Sequence, residues 1–236
     1  MTRSILILWF SILVYSAISS AELPLKPSVL EGLKYPQTLL NGDYDPDIPT
    51  PDSVLGFPVG SKTASPSQIV QWVHTLNEAS DTTLLVEYAR SYEGRPLYYL
   101  VISSPENLSK IAAVKADLAR LADPRGLSAA EGESIIRDLP AVAWFGYSIH
   151  GDESSGSDAS LAASYHLVAS RGAEAEALRN NTIVIIDPSQ NPDGRARFVK
   201  ALEEVRGLSP NVDNQSLLHT QYWPGGRYNH YLFDLN

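Results

Sequence analysis

Apolar residues along this chain recur with two different periods, and the alternation between them predicts the fold. Ile69, Val73 and Leu76 fall at helical spacing, and Ser65-Pro66-Ser67-Gln68 just before them supplies an N-cap hydroxyl, a proline at the first helical position and a capping-box Gln. A helix is predicted there. Leu84 to Ala89 and Leu97 to Ile102 are short β-prone runs on either side of Ser91-Tyr-Glu-Gly-Arg-Pro96, whose Gly and Pro predict a hairpin turn. Ser104-Pro105 opens a helix running to about Ala122, and Ser128-Ala-Ala-Glu131 is a capping box for a short one after it. Ala141 to Ile149 and Thr182 to Asp187 are unbroken apolar runs of the kind found in strands covered on both faces, and Asp158 to Ala169 and Gly172 to Arg179 between them read as helical. Strands alternating with helices predict an α/β fold: a mixed β-sheet sandwiched by helices, with a hairpin at one edge and parallel strands inside.

The two ends of this pattern differ from its middle. Arg3, the apolar run Ile5 to Ala17 and the small residues Ser19-Ser20-Ala21 have the three-part form of an export leader over residues 1–21, with cleavage before Glu22. The run is shorter than the roughly 20 residues of a spanning helix, so no stable membrane insertion is expected after cleavage, and the mature protein is expected to be secreted or periplasmic. Residues 22–62, rich in Pro, Gly and Asp, read as an extended arm, and residues 63–236 as the folded domain.

Composition narrows the chemistry. The 236 residues carry 18 Lys and Arg against 27 Asp and Glu, a net charge of −9, with no basic cluster to track a phosphate backbone, so nucleic acid is not expected as a partner. There is no cysteine, which excludes disulfides, a thiolate metal site and a thiol nucleophile. Asn107, Asn180 and Asn214 each begin an Asn-X-Ser/Thr glycosylation pattern.

What remains is nitrogen and oxygen chemistry at the ends of strands. His150-Gly-Asp-Glu153 directly follows the Ala141 run, where ligands gather in open α/β sheets. An imidazole and a carboxylate three residues apart can turn toward one point and hold a divalent metal, and zinc suits such a donor set with one position left open. His-x-x-Glu spacing is common by chance; the strand end and the small residues around it set this pair apart. Asp187-Pro-Ser-Gln-Asn-Pro-Asp-Gly194 follows the second strand and reads as a tight loop, with Asn191 to Gly194 a plain turn. Trp223-Pro-Gly-Gly-Arg-Tyr-Asn-His230 is a third polar cluster, in which Arg227 reads as a solvated arginine unless a site recruits it. His74 and His166 lie in helical patterns and read as packed or surface residues; His219 and His230 lie in loops and stay open as ligands.

Taken in order, Ser91 to Leu97, Ile149 to Glu153, Ile185 to Gly194 and Asp234-Leu-Asn236 resemble the zinc carboxypeptidases of the carboxypeptidase A and B type, over roughly residues 65 to 236. The resemblance implies a carboxypeptidase-like fold, incomplete at its C-terminal end, with Zn²⁺ as cofactor. It implies that His150 and Glu153 are the first two zinc ligands and that Asn236 helps grip the terminal carboxylate of a peptide or protein substrate with a free C-terminus. Arg227 stands where the family tends to carry an arginine that polarises the scissile carbonyl, which makes it both a catalytic and a substrate-binding candidate. The family's third ligand, a histidine, its general-base glutamate and the arginine that follows Asn236 are expected further downstream. The implied activity is removal of C-terminal residues by metal-activated water. The alternatives are a zinc amidohydrolase of the same superfamily acting on N-acyl amino acids or cell-wall peptides, and a non-catalytic fragment.

Overall fold

The computed structural model describes residues 40–207, 211, 213–220 and 223–236. The leader read over residues 1–21 and the first part of the arm lie outside the described residues. The elements are α1 (Pro51–Leu55), α2 (Pro66–Ala79), β1 (Thr83–Arg90), β2 (Pro96–Ile102), α3 (Pro105–Ser109), α4 (Ile111–Ala122), α5 (Ala129–Asp138), β3 (Ala141–Gly146), α6 (Ser154–Ala169), α7 (Ala173–Asn181), β4 (Thr182–Asp187) and α8 (Pro192–Val205). Among the described residues, no helix is long and apolar enough to cross a membrane.

The four strands form one mixed sheet in the order β1-β2-β4-β3. The β1–β2 hairpin is antiparallel, β2 pairs antiparallel with β4, and β3 runs parallel to β4. Helices cover both faces. On one, Ile69, Trp72, Val73 and Leu76 of α2 and Leu161, Tyr165 and Val168 of α6 pack on Leu100, Ile102, Val184 and Ile186. Trp72 is wholly buried, and its indole N–H donates to Ser164 Oγ at 2.9 Å, which removes the cost of enclosing a donor. On the other face Val114 of α4, joined by Leu108 and Leu139, packs on Val101 and Ile183. Alternate residues of β2 and β4 thus feed the two layers, as the strand period requires.

The structure departs from the sequence pattern in five places. β3 ends at Gly146 rather than Ile149, and among the described residues it lies at the edge of the sheet with Val142, Trp144 and Phe145 42%, 60% and 47% exposed. Its apolar run resembles that of β4, but β4 lies between β2 and β3, whereas β3 has β4 as its one neighbour among the described residues. The helix expected from Ser104 to Ala122 is broken at Lys110, whose φ of −101° and ψ of 7° end α3 before α4 begins. Within the arm expected over residues 22–62, the described part contains α1, capped by the Thr50 side chain, and buries Ile48 and Leu55 in the main core. Asn191 to Gly194 is not a plain turn but the start of α8, with Asn191 as N-cap accepting from Gly194 N at 2.9 Å and Pro192 in the first turn. Asn107 is no open glycosylation acceptor here, since its amide donates to Ser103 Oγ and to the carbonyls of Arg179 and Asn180.

Candidate metal centre at the ends of the parallel strands

Three loops meet beyond the carboxyl ends of β3 and β4, and glycines let them close. A Cβ on Gly151 would stand 2.0 Å from the backbone nitrogen of Arg195, and one on Gly194 would stand 2.2 Å from the carbonyl oxygen of Gly226. No side chain fits either gap, so the His150 loop, the start of α8 and the loop carrying Arg227 share one backbone-to-backbone contact, tied by Gly151 N donating to Gly226 O at 2.8 Å. Ser148, in the left-handed region at φ 55°, turns the chain after β3, and its hydroxyl donates to the His150 carbonyl at 2.8 Å.

A buried ion pair fixes the helices behind these loops. Arg195, wholly buried in α8, sends Nη2 to both carboxylate oxygens of Asp158 in α6 at 3.0 and 3.1 Å, Nε to Ala64 O and Nη1 to Ser154 O. Burial raises the Asp158 pKa and lowers that of Arg195, and each charge partly offsets the shift of the other. The carbonyl that Arg195 holds at Ser154 directly follows Glu153, so this pair sets where α6 begins.

Glu153 is the N-cap residue of α6, yet its side chain makes no capping bond. It turns back to His150, with Oε1 2.8 Å from Nδ1. The opposite ring nitrogen, Nε2, lies 2.9 Å from Asp234 Oδ1. Arg227 joins from the third loop, its Nε donating to Asp234 Oδ2 at 2.8 Å and its Nη1 lying 3.3 Å from His150 Nδ1. The His150 side chain is nearly enclosed at 4% exposure, whereas that of Glu153 is 55% exposed. The hydrogen bond to Glu153, with that to Asp234 behind it, raises the His150 pKa against burial and the charge of Arg227. Asp234 is held below the usual carboxylate range by His150, the Asn236 N–H and Arg227.

The sequence candidates therefore separate into two groups. His150, Glu153 and Arg227 come together; Asn236 reaches the cluster through its backbone N–H, which donates to Asp234 Oδ1 at 3.1 Å. His230 instead pairs with Glu93 at 3.2 Å, and His219 lies against the Asn211 carbonyl. His74 packs edge-on against Tyr98, and His166 accepts from or donates to Tyr44 Oη at 2.8 Å. Sequence reasoning missed Asp234, Asp158 and Arg195. Asp234 sits inside a motif already singled out, but its partner is 84 residues away.

The donor set fits zinc as two ligands. Tetrahedral bonds of about 2.0–2.2 Å would set neighbouring ligand atoms roughly 3.3–3.5 Å apart. The pair His150 Nδ1 and Glu153 Oε1 needs to open only slightly from 2.8 Å, and the exposed Glu153 side chain has room to do so. Asp234 lies on the far edge of the ring and cannot join them; it acts on the ring itself, since an Nε2–H held by a carboxylate leaves the Nδ1 lone pair for a metal. Among the described residues, no group of three His, Asp or Glu side chains is placed to hold a metal ion.

Comparison with known proteins bears on this cluster. Residues 69–236 match the sequence model of the zinc carboxypeptidase family, a span containing all the residues of the site. Among solved structures, carboxypeptidase A from Helicoverpa armigera is 22% identical, with a TM-score of 0.41, over 62% of this chain and 32% of that one. Thrombin activatable fibrinolysis inhibitor is 17% identical, with a TM-score of 0.42, over 66% of this chain and 30% of that one. The bovine form, solved in complex with tick carboxypeptidase inhibitor, is 17% identical, with a TM-score of 0.36, over 71% of this chain and 47% of that one. The chain thus spans about a third to a half of these solved chains. No curated protein matches it.

Proposed function

Because the chain belongs to the zinc carboxypeptidase family, we propose that it forms part of an exported metallocarboxypeptidase, which removes C-terminal residues from peptides. The observation that carries this reading is the junction of His150 Nδ1, Glu153 Oε1 and the Arg227 guanidinium at one point beyond the parallel strands.

In this reading His150 and Glu153 hold Zn²⁺. Zinc in such a site supplies a Lewis acid and makes water acidic enough to attack a carbonyl near neutral pH. The other roles belong to the chain's own groups. Asp234 holds the His150 ring through Nε2 and keeps Nδ1 available. The same carboxylate orients Arg227 through Nε, so that the guanidinium offers its remaining N–H groups to the oxygen of the bond being cleaved, where negative charge develops. The Asn236 side chain is a donor for the terminal carboxylate of the substrate, and a free C-terminus is what it selects. The leader read over residues 1–21 supports a location outside the cytoplasm.

The test is hydrolysis of peptides with free and with amidated C-termini, by the protein continued through the remainder of a family catalytic domain. Chelator-sensitive release of single C-terminal residues, lost with His150→Ala and with Glu153→Ala, is expected. Equal cleavage of amidated peptides would remove the exopeptidase reading, and turnover that survives a chelator would remove the metal.

A further inference from the structure

Arg227 stands on a run of turns, Trp223 to His230, that belongs to no helix or strand. Its side chain is 42% exposed, so packing alone does not fix where the guanidinium points. Its aim depends on how firmly the backbone around it is held.

That backbone is held from α8. Asn191 caps the helix, and Gly194 and Arg197 follow at intervals of three, which sets them along one face. Asn191 Nδ2 donates to Arg227 O at 3.2 Å. Gly194 lies so close to the turns that a Cβ on it would stand 2.2 Å from Gly226 O and 2.9 Å from Tyr228 O. Arg197 completes the row. Its Nε donates to Gly225 O at 3.0 Å, and its Nη2 donates to Asn229 O at 3.1 Å and to Tyr228 O. One guanidinium thus ties down carbonyls on both sides of Arg227, a task that suits a planar fork of N–H donors and not a point charge. Nor is Arg197 committed to a tight ion pair. Among the described residues, the one carboxylate within 4.0 Å of it is that of Glu93, at 3.9 Å.

We infer that Arg197 is a positioning residue for Arg227. It fixes the turns that carry Arg227, and through them the aim of the Arg227 guanidinium at the carbonyl of the bond being cleaved, without touching substrate itself. What Arg227 does there rests on the peptidase reading; how Arg197 holds the turns does not.

Two measurements test this. In the full chain, NMR follows the Arg227 Nε–H, which is bonded to Asp234, with the Trp72 indole N–H as a reporter on the core. Arg197→Ala should move the Arg227 resonance toward its position in free arginine and speed its exchange with solvent, while the Trp72 resonance stays. Arg197→Lys keeps the charge but cannot span the three carbonyls, so it should shift the Arg227 resonance less, and it serves if the alanine variant fails to fold. In the protein continued through the remainder of a family catalytic domain, Arg197→Ala should lower kcat on the order of 10²-fold with a much smaller change in KM, the scale of loss when a group is displaced by about 1 Å. In an Arg227→Ala background the same substitution should cost less than about twofold, because a residue that acts through Arg227 then has nothing left to position. An Arg227 resonance that stays in place in both variants, a Trp72 resonance that moves with it in both, or an equal loss of kcat with and without Arg227 each overturn the assignment. Lack of peptidase activity in the native continued protein would remove the peptidase reading instead, and the resonances of the full chain would still decide whether Arg197 holds the turns.

Discussion

Asp234 grips His150 by the ring nitrogen that faces away from Glu153, at 2.9 Å, while its other oxygen takes Arg227 at 2.8 Å. One exposed carboxylate therefore orients both the imidazole and the guanidinium. Replacing it disturbs the two groups proposed to hold metal and substrate while leaving their own side chains unchanged.

Asp234→Asn is expected to lower zinc affinity about 10- to 100-fold, the usual cost of losing the partner behind a metal-bound histidine. The fold should persist, because Asp234 contributes to no core cluster. Competition against a chelating dye measures this. An unchanged affinity would show that the Nε2 contact does not hold the ring for metal.

Arg227→Ala should lower kcat roughly 10²- to 10³-fold in the protein continued through the rest of the catalytic domain, with a much smaller change in KM. A donor aimed at a developing oxyanion acts in the transition state more than in the bound substrate. If KM rises instead and kcat holds, the guanidinium belongs to the carboxylate grip alone.

Much of this was legible in the sequence, and the misses have physical causes. His150 and Glu153 lie three residues apart, so their meeting needs only a local turn after a strand. Asp234 and His150 are 84 residues apart, and nothing local in the chain encodes that contact. The capping boxes at Ser65 and Ser128 both form as read, because a cap is a local structure. Asn191-Pro-Asp-Gly194 was ambiguous for the same reason: Asn and Pro that begin a turn also begin a helix, and only the chain beyond Gly194 decides. β3 shows the other limit. Its apolar run predicts a strand, but sheet order is a tertiary property, and among the described residues that order places Trp144 at an edge.

Arg195→Met should destabilise the domain by about 3–5 kcal/mol, since it leaves the Asp158 carboxylate buried without its partner. Adding Asp158→Leu should recover a large part of that loss, because the cost lies in the orphaned charge rather than in the missing attraction. Urea unfolding of the two variants decides the matter. If the double variant is no more stable than Arg195→Met, the bonds from Arg195 to Ala64 O and Ser154 O, with that from Ala64 N to Asp158 Oδ1, carry the stability instead.

Asp187 gives the pH prediction. It ends β4 at 1% exposure and accepts from Tyr88 Oη at 2.8 Å. Tyr88 reaches it because β1 bulges between Glu87 and Ala89, which leaves Tyr88 outside the pairing register. Burial raises the Asp187 pKa above its ordinary 3.8, and the hydrogen bonds from Tyr88, the Gln190 side chain and the Ser189 N–H only partly offset this. The folded state therefore binds more protons than the unfolded state from pH 3.8 up to the raised value, and this group's contribution to stability falls as pH rises through that window. Asp187→Asn keeps an acceptor for Tyr88 and removes the titration. Its midpoint of thermal unfolding should exceed that of the native chain at pH 7, and the gap should close as pH falls toward 4. Asp234 and Glu93, both held low, lose stabilising charge on the same descent, but they do so equally in both proteins and cancel in the difference. A gap that stays constant from pH 7 to pH 4 would mean that Asp187 carries no buried charge at neutral pH.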